Sequence, residues 1–145
     1  MENSFLLTVI ASSPLSVSAF ADNEATGRIK KRMDNFKACQ MAFKQIFAAL
    51  KRYNFEAIVP LANQMKNWIE IVPTKFPIGS DRPPSEAAPA IWTDFGGFKS
   101  AAKENSEAAN FLEVTVLNGD AKATAKAIKQ LAATCKSCHQ SYRLN

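Results

Sequence analysis

Apolar side chains in this chain recur at alternating intervals of four and three residues in four separate stretches, a period that belongs to helices packed through narrow seams. From Glu24 to about Leu50 the seam runs through Ile29, Met33, Phe36, Phe43, Phe47 and Leu50, with Gln40 interrupting it. A second seam, from Asn54 to Val72, carries Ile58, Leu61, Met65, Trp68 and Val72; Asn54 is placed to cap its start and Pro73 to end it. The third holds Ile91, Phe95, Phe98, Ala102, Ala109, Leu112 and Val116, with Asn105 as its polar member, and Gly119-Asp120 supplies a stop followed by the next N-cap. The fourth holds Thr124, Ile128, Leu131, Cys135, Cys138 and Tyr142. No segment carries a convincing strand signal, and no internal repeat or low-complexity tract appears. The expected fold is all-α: an antiparallel four-helix bundle in one domain, a scaffold that houses cofactors between its facing helices.

The fourth seam ends in Cys135-Lys136-Ser137-Cys138-His139. In a C-x-x-C-H run, two thiols one helical turn apart add across the two vinyl groups of a haem, and the adjacent imidazole then lies under the iron as an axial ligand. A redox dithiol is the competing use. It goes with a βαβ pattern and an active-site cysteine at a helix start, whereas this pair closes a long helical stretch. A zinc site would draw three ligands from the motif, but the chain offers only one further cysteine, Cys39, and no second histidine. Two buried cysteines beside a chance histidine would be a coincidence in a chain with a single histidine. The expectation is one haem c per chain, covalent through Cys135 and Cys138, with His139 on the metal. The segment from Pro73 to Pro89, with further prolines at 77, 83 and 84, is long for a compact domain and is expected to wrap over part of the cofactor pocket.

Phe5 to Val17 is mostly apolar, and Ala19-Phe20-Ala21 matches the small-x-small pattern of a secretory cleavage site. Residues 1–21 therefore read as a signal peptide and 22–145 as the mature domain, exported to the periplasm. The apolar span is too short and interrupted for a stable membrane helix, so no membrane association is expected after cleavage. Glu2 is the sole charge before Asp22, so the usual positive n-region is missing. Removing these residues raises the formal charge by one unit from the +5 of the whole sequence. A basic balance can signal nucleic acid, but the lysines are spread over all four helical stretches and the compartment is wrong. No nucleic-acid partner is expected; a solvated surface that favours an acidic redox partner, itself unidentified, is the reading.

With these residues in view the chain resembles the cytochrome c′ family, the class II c-type cytochromes, which are four-helix bundles with haem attached near the C-terminus. The resemblance covers nearly the whole mature chain. Besides the haem motif it rests on Ile29-Lys30-Lys31-Arg32, on Ile91-Trp92-Thr93-Asp94 with Phe98-Lys99, and on Cys138-His139-Gln140-Ser141-Tyr142-Arg143. It implies that His139 is the proximal ligand with Arg143 beside it, that Arg32 lies near a propionate, that Phe76 packs on the haem, and that Asp81 stands at the haem edge. It also implies a homodimer through the first two helices, with Cys39 either buried or near that contact.

Four residues after Arg32 the family places the side chain that faces the distal side of the iron, and in its low-spin branch that residue is a ligating methionine. Here it is Phe36, which cannot coordinate. A five-coordinate iron under an occluding ring is the first expectation, and the resemblance then implies a binder of nitric oxide and carbon monoxide that also exchanges single electrons. Met33, one turn earlier on nearly the same face, supports the alternative of a low-spin electron-transfer cytochrome with Met33 as sixth ligand; its plainer reading is core packing. No catalytic residue is expected, because the single histidine is already used and no distal base remains for turnover.

Overall fold

The computed structural model describes the backbone of residues 18–144 and the side chains of residues 27–144; the apolar stretch Phe5 to Val17 lies outside them. Four long helices form the body: α1 (Ser18–Lys51), α2 (Ile58–Ile71), α4 (Phe95–Val116) and α5 (Ala121–Tyr142), with a one-turn helix α3 (Ala90–Thr93) before α4. The backbone of α1 runs without a break across Ala21-Asp22, where cleavage is expected. α4 packs against both α2 and α5, and α1 lies chiefly on α2. This is a four-helix bundle, as the seams predict. No helix among the described residues is long and apolar enough to cross a membrane.

The helices meet in a core whose tightest part excludes solvent from Ile46, Ile58, Leu112, Ile128 and Leu131; on α1 it is Ile46 that is buried and the seam residue Phe47 that is 41% exposed. Each such buried side chain contributes about 1.5–3 kcal/mol relative to exposure. Thr124 is the polar exception in this layer, with its hydroxyl buried and unpartnered among the described residues.

Three boundaries differ from the sequence expectation. Asn54 does cap, accepting a hydrogen bond from the Ala57 N–H at 3.2 Å, but it caps a separate turn, and α2 proper begins at Ile58. Pro73 does not stop the chain outright. α2 ends at Ile71 and a 3-10 turn, Val72–Lys75, follows with the proline near its start, where its missing N–H costs nothing. The third stretch is not one helix, because Asp94 leaves the helical region and recaps the chain, its Oδ1 accepting from the Gly97 N–H at 3.0 Å. The Tyr142 hydroxyl donates to the other oxygen of Asp94 at 2.9 Å, tying the end of α5 to this break. Glycine at 97 leaves room for this pair: a Cβ there would collide with the Asp94 carboxylate and the Tyr142 hydroxyl and force them to shift. Between α4 and α5 the turn takes Gly119 into the left-handed region at φ +66°, and Asp120 caps α5 through the Lys122 and Ala123 N–H groups, as expected.

The long segment between α2 and α4 is pinned from two sides. At its far end the C-terminal tail runs antiparallel to it: the Ala88 N–H donates to Tyr142 O at 3.1 Å, and the Leu144 N–H to Glu86 O at 2.8 Å. From inside the bundle it is held by Arg32.

Candidate functional site

Away from that tight core layer the four helices enclose a cavity of about 480 Å³, within the ordinary range for cofactor sites. α5 and its C-cap contribute Ala132, Cys135, Cys138, His139, Tyr142 and Arg143 to its wall; α1 contributes Arg32, Met33, Phe36, Lys37, Cys39, Gln40 and Phe43. Met65, Ile69, Val72 and Phe76 line it from α2 and the turn beyond, Ala102 and Asn105 from α4, and Ser85 to Ala87 from the long segment, which covers part of the cavity as expected.

Arg32 is the most constrained residue of the site. Although only 3% exposed, its guanidinium donates to Lys75 O, Ser80 Oγ, Ser80 O and Ser85 Oγ at 3.1, 3.0, 2.8 and 2.6 Å. It also lies over the Phe76 ring, 4.0 Å from the centroid. These neutral acceptors solvate the cation without balancing it, and burial pulls its pKa down. A buried cation on a cavity wall with no carboxylate among these partners is the electrostatic complement of an anionic group inside the cavity.

Phe36 is half-buried on the α1 wall, edge-on to Trp68 with centroids 5.6 Å apart and tilted against Phe76 at 6.5 Å. Phe76 in turn meets Phe98 at 5.1 Å, so the ring is one end of an aromatic chain reaching α4. Met33 touches the cavity too, yet is 38% exposed.

On the opposite wall Arg143 forms an ion pair with Glu86, Nη2 to Oε2 at 2.5 Å and Nε to the same oxygen at 2.7 Å. Partial burial and the Arg143 charge hold the His139 pKa below its usual value, with Glu86 opposing them. The neutral imidazole favoured in this way is the form that binds a metal. All three cysteines are free, and burial raises each thiol, Cys39 and Cys138 to about 11. At Cys135 a hydrogen bond from Asn105 works against that rise.

The structure thus brings Cys135, Cys138, His139, Arg143, Arg32, Met33, Phe36 and Phe76 to one cavity. Asp81 stands apart from them. It is exposed and lies outside the cavity wall, because Arg32 grips the segment at Ser80 and Ser85 and the residues between bulge into solvent. The carboxylate that does reach the wall is Glu86. Cys39 is 7% exposed and faces the cavity, the buried one of its two expected placements. Among the wall residues that gained no role from the sequence are Gln40 and Asn105. They are the polar interruptions of the first and third seams, and both line the cavity. An interrupted seam was therefore the available signal.

A cavity of this size, a paired-thiol wall with an adjacent imidazole, and a buried cation fit one group: a haem held on α5 with its carboxylates directed to protein cations. The fold and site define a four-helix-bundle c-type haem protein. Residues 27–143 match the profile of cytochrome c′, and the chain belongs to that family. It accordingly binds haem c covalently through Cys135 and Cys138. A cytochrome c-556 from Agrobacterium tumefaciens (strain II Chrys) is 35% identical over 122 residues, covering 81% of this chain and 98% of the relative. Among solved structures, cytochrome c′ from Thermochromatium tepidum superposes with a TM-score of 0.77 at 24% identity, covering 83% of this chain and 97% of that one. A nitric oxide complex of a variant cytochrome c prime from Alcaligenes xylosoxidans gives 0.74 at 22% identity, with coverage of 83% and 97%.

Proposed function

We propose that the protein is an exported, periplasmic haem protein with five-coordinate iron that binds nitric oxide or carbon monoxide and exchanges single electrons, without catalysing turnover. The observation that carries this reading is Phe36, a ring with no ligating atom, braced on the cavity wall by Trp68 and Phe76. When bound, the haem supplies a ferric/ferrous couple and a coordination position for a diatomic ligand. The chain's residues set the rest. His139 takes the proximal position, with Arg143 and Glu86 beside it. Arg32 meets the carboxylate edge. Phe36 excludes water and obliges an entering ligand to displace an aromatic ring, which favours small uncharged molecules. That a structure of the same fold is a nitric oxide complex supports the ligand class.

Residues 1–21 act as the export signal in this reading, since haem attachment to C-x-x-C-H takes place outside the bacterial cytoplasm. The protein acts as a homodimer through α1 and α2, and the exposed Met41 and Phe47 on α1 suit such a contact. A disulfide at Cys39 does not, because the thiol is buried. The second reading, electron transfer alone with Met33 as sixth ligand, draws on the position of Met33 at the cavity wall one turn before Phe36.

Absorption spectra of the purified ferric and ferrous protein test the two. High-spin five-coordinate bands are expected. A six-coordinate low-spin spectrum in the parent would transfer the assignment to the second reading.

A further inference from the structure

Asn105 is the polar residue in an otherwise apolar seam, and the haem reading by itself gives it nothing to do. It is 4% exposed, lies on α4 at the cavity wall, and points its amide at α5. Its Nδ2 donates to Thr134 Oγ1 at 2.9 Å and to Cys135 Sγ at 3.1 Å, which is close for a sulfur acceptor. Its Oδ1 is buried with no partner among the described residues. An unpaired buried carbonyl costs about 1–3 kcal/mol, so an apolar residue of similar shape would stabilise the bundle more. Packing therefore does not account for an amide here, and the Nδ2 bonds are what it provides.

The orientation of the amide is fixed by chemistry. The Thr134 hydroxyl spends its single proton on Leu131 O at 2.8 Å, so towards Asn105 it can only accept, which requires the NH₂ end to face α5. A free Cys135 thiol could donate or accept. A thioether sulfur carries no proton and can only accept. The arrangement held by Thr134 is thus the one that remains satisfied once Cys135 is attached.

We infer that Asn105 is a positioning residue for haem attachment, holding the Cys135 sulfur on the cavity wall and hydrogen-bonding it both before and after the thioether forms. In that step the Cys135 S–H bond breaks, sulfur bonds the inner carbon of one vinyl group, and the proton ends on the outer carbon, with no net oxidation. Cys138 has no comparable side-chain hydrogen bond among the described residues, so Asn105 acts on one thioether of the two. The inference rests on the haem reading, and its test separates the two: a parent that carries no covalent haem defeats that reading, whereas the comparison below defeats only the role of Asn105.

The test is Asn105→Leu, matured alongside the parent in cells that attach c-type haem, with the readout taken only from molecules that acquired haem. Mass spectrometry of the haem peptide, and thiol labelling after denaturation, count thioethers at each cysteine. The doubly attached share should fall roughly two- to tenfold, the order given by losing one hydrogen bond of ordinary net strength, with the free thiol on Cys135 and the pyridine haemochrome band moved to longer wavelength. Thr124→Val, which removes a buried hydroxyl far from the cavity, should leave both thioethers in place; a matching loss there would assign the effect to general packing and overturn the inference. So would Asn105→Leu carrying both thioethers at the parental level. Should Asn105→Leu fail to fold, the parent decides alone: in its diamagnetic ferrous carbon monoxide form, the Asn105 side-chain amide protons should show a nuclear Overhauser contact to the Cys135 β-protons, and its absence overturns the inference.

Discussion

The α5 wall of the cavity is built from neighbours in the chain, and the α1 wall from side chains that acquire their roles by crossing to other elements. On α5 the paired thiols and the imidazole fall within one and a half helical turns, so any helix of this sequence presents them together. On α1, Arg32 matters because Ser80, Ser85 and Lys75 O come to it, and Phe36 because Trp68 and Phe76 brace it. The groups that attach the haem are thus laid out locally, with the hydrogen bond from Asn105 to Cys135 as their one tertiary support. Control of what reaches the iron is a tertiary property, and the two should fail separately.

The largest effect should come from the local wall. Changing Cys135 and Cys138 to Ala should abolish covalent haem altogether, so that acid-acetone extraction carries all of it into the organic phase and no haem-stained band survives a denaturing gel. Retained staining would break the comparison at its firmest point.

Arg32→Leu comes next and probes the other wall. It deletes four hydrogen bonds at once and leaves Lys75 O and Ser80 O facing an apolar side chain. Some of the loss is recovered because a buried cation is removed as well, and the net cost should be about 3 kcal/mol. Urea denaturation of the holoprotein would measure it. Covalent haem should remain at the parental level, since both thioethers lie on the opposite wall. Loss of attachment in this variant would show that the α5 wall depends on the pinned segment.

The same contrast governs what could be read from the sequence. The four seams and the C-x-x-C-H run are local patterns, so the bundle, the haem and its attachment points were legible before any coordinates. The alignment of the long segment was not. The resemblance implies Asp81 at the haem edge, whereas the grip of Arg32 on Ser80 and Ser85 leaves residues 81–84 exposed and puts the exposed Glu86 at the rim of the cavity, paired with Arg143. The break at Asp94 was available in principle, as an aspartate followed by Gly96-Gly97, a capping residue ahead of an unhindered turn. Asn105 could be seen as an anomaly in its seam but not as a partner of Cys135, because that hydrogen bond joins residues 30 apart.

Phe36 gives the third prediction. Phe36→Ala should open the distal face, so that carbon monoxide binds the ferrous protein faster and more tightly than in the parent by stopped-flow and titration. Phe36→Met supplies a thioether at the same position and should convert at least part of the ferric population to low spin. Unchanged carbon monoxide kinetics in Phe36→Ala would remove the ring from the ligand's path and reduce Phe36 to a packing residue beside Trp68.

The smallest effect is expected at Met33, and it discriminates most sharply between the two functions. Met33→Leu keeps the volume and removes only the sulfur, so it should cost under about 1.5 kcal/mol. Because Met33 is 38% exposed, the cost should fall towards the lower end of that range. The spin state should not change, since in the five-coordinate reading the sulfur has no bond to the iron. An electron carrier requires a filled, rigid coordination sphere and a gas binder an accessible one, so a single spectrum of this variant separates them. If a low-spin parent becomes high-spin on losing that sulfur, Met33 is the sixth ligand, α1 then carries local coordination chemistry just as α5 does, and the contrast between the two walls disappears along with the nitric oxide assignment.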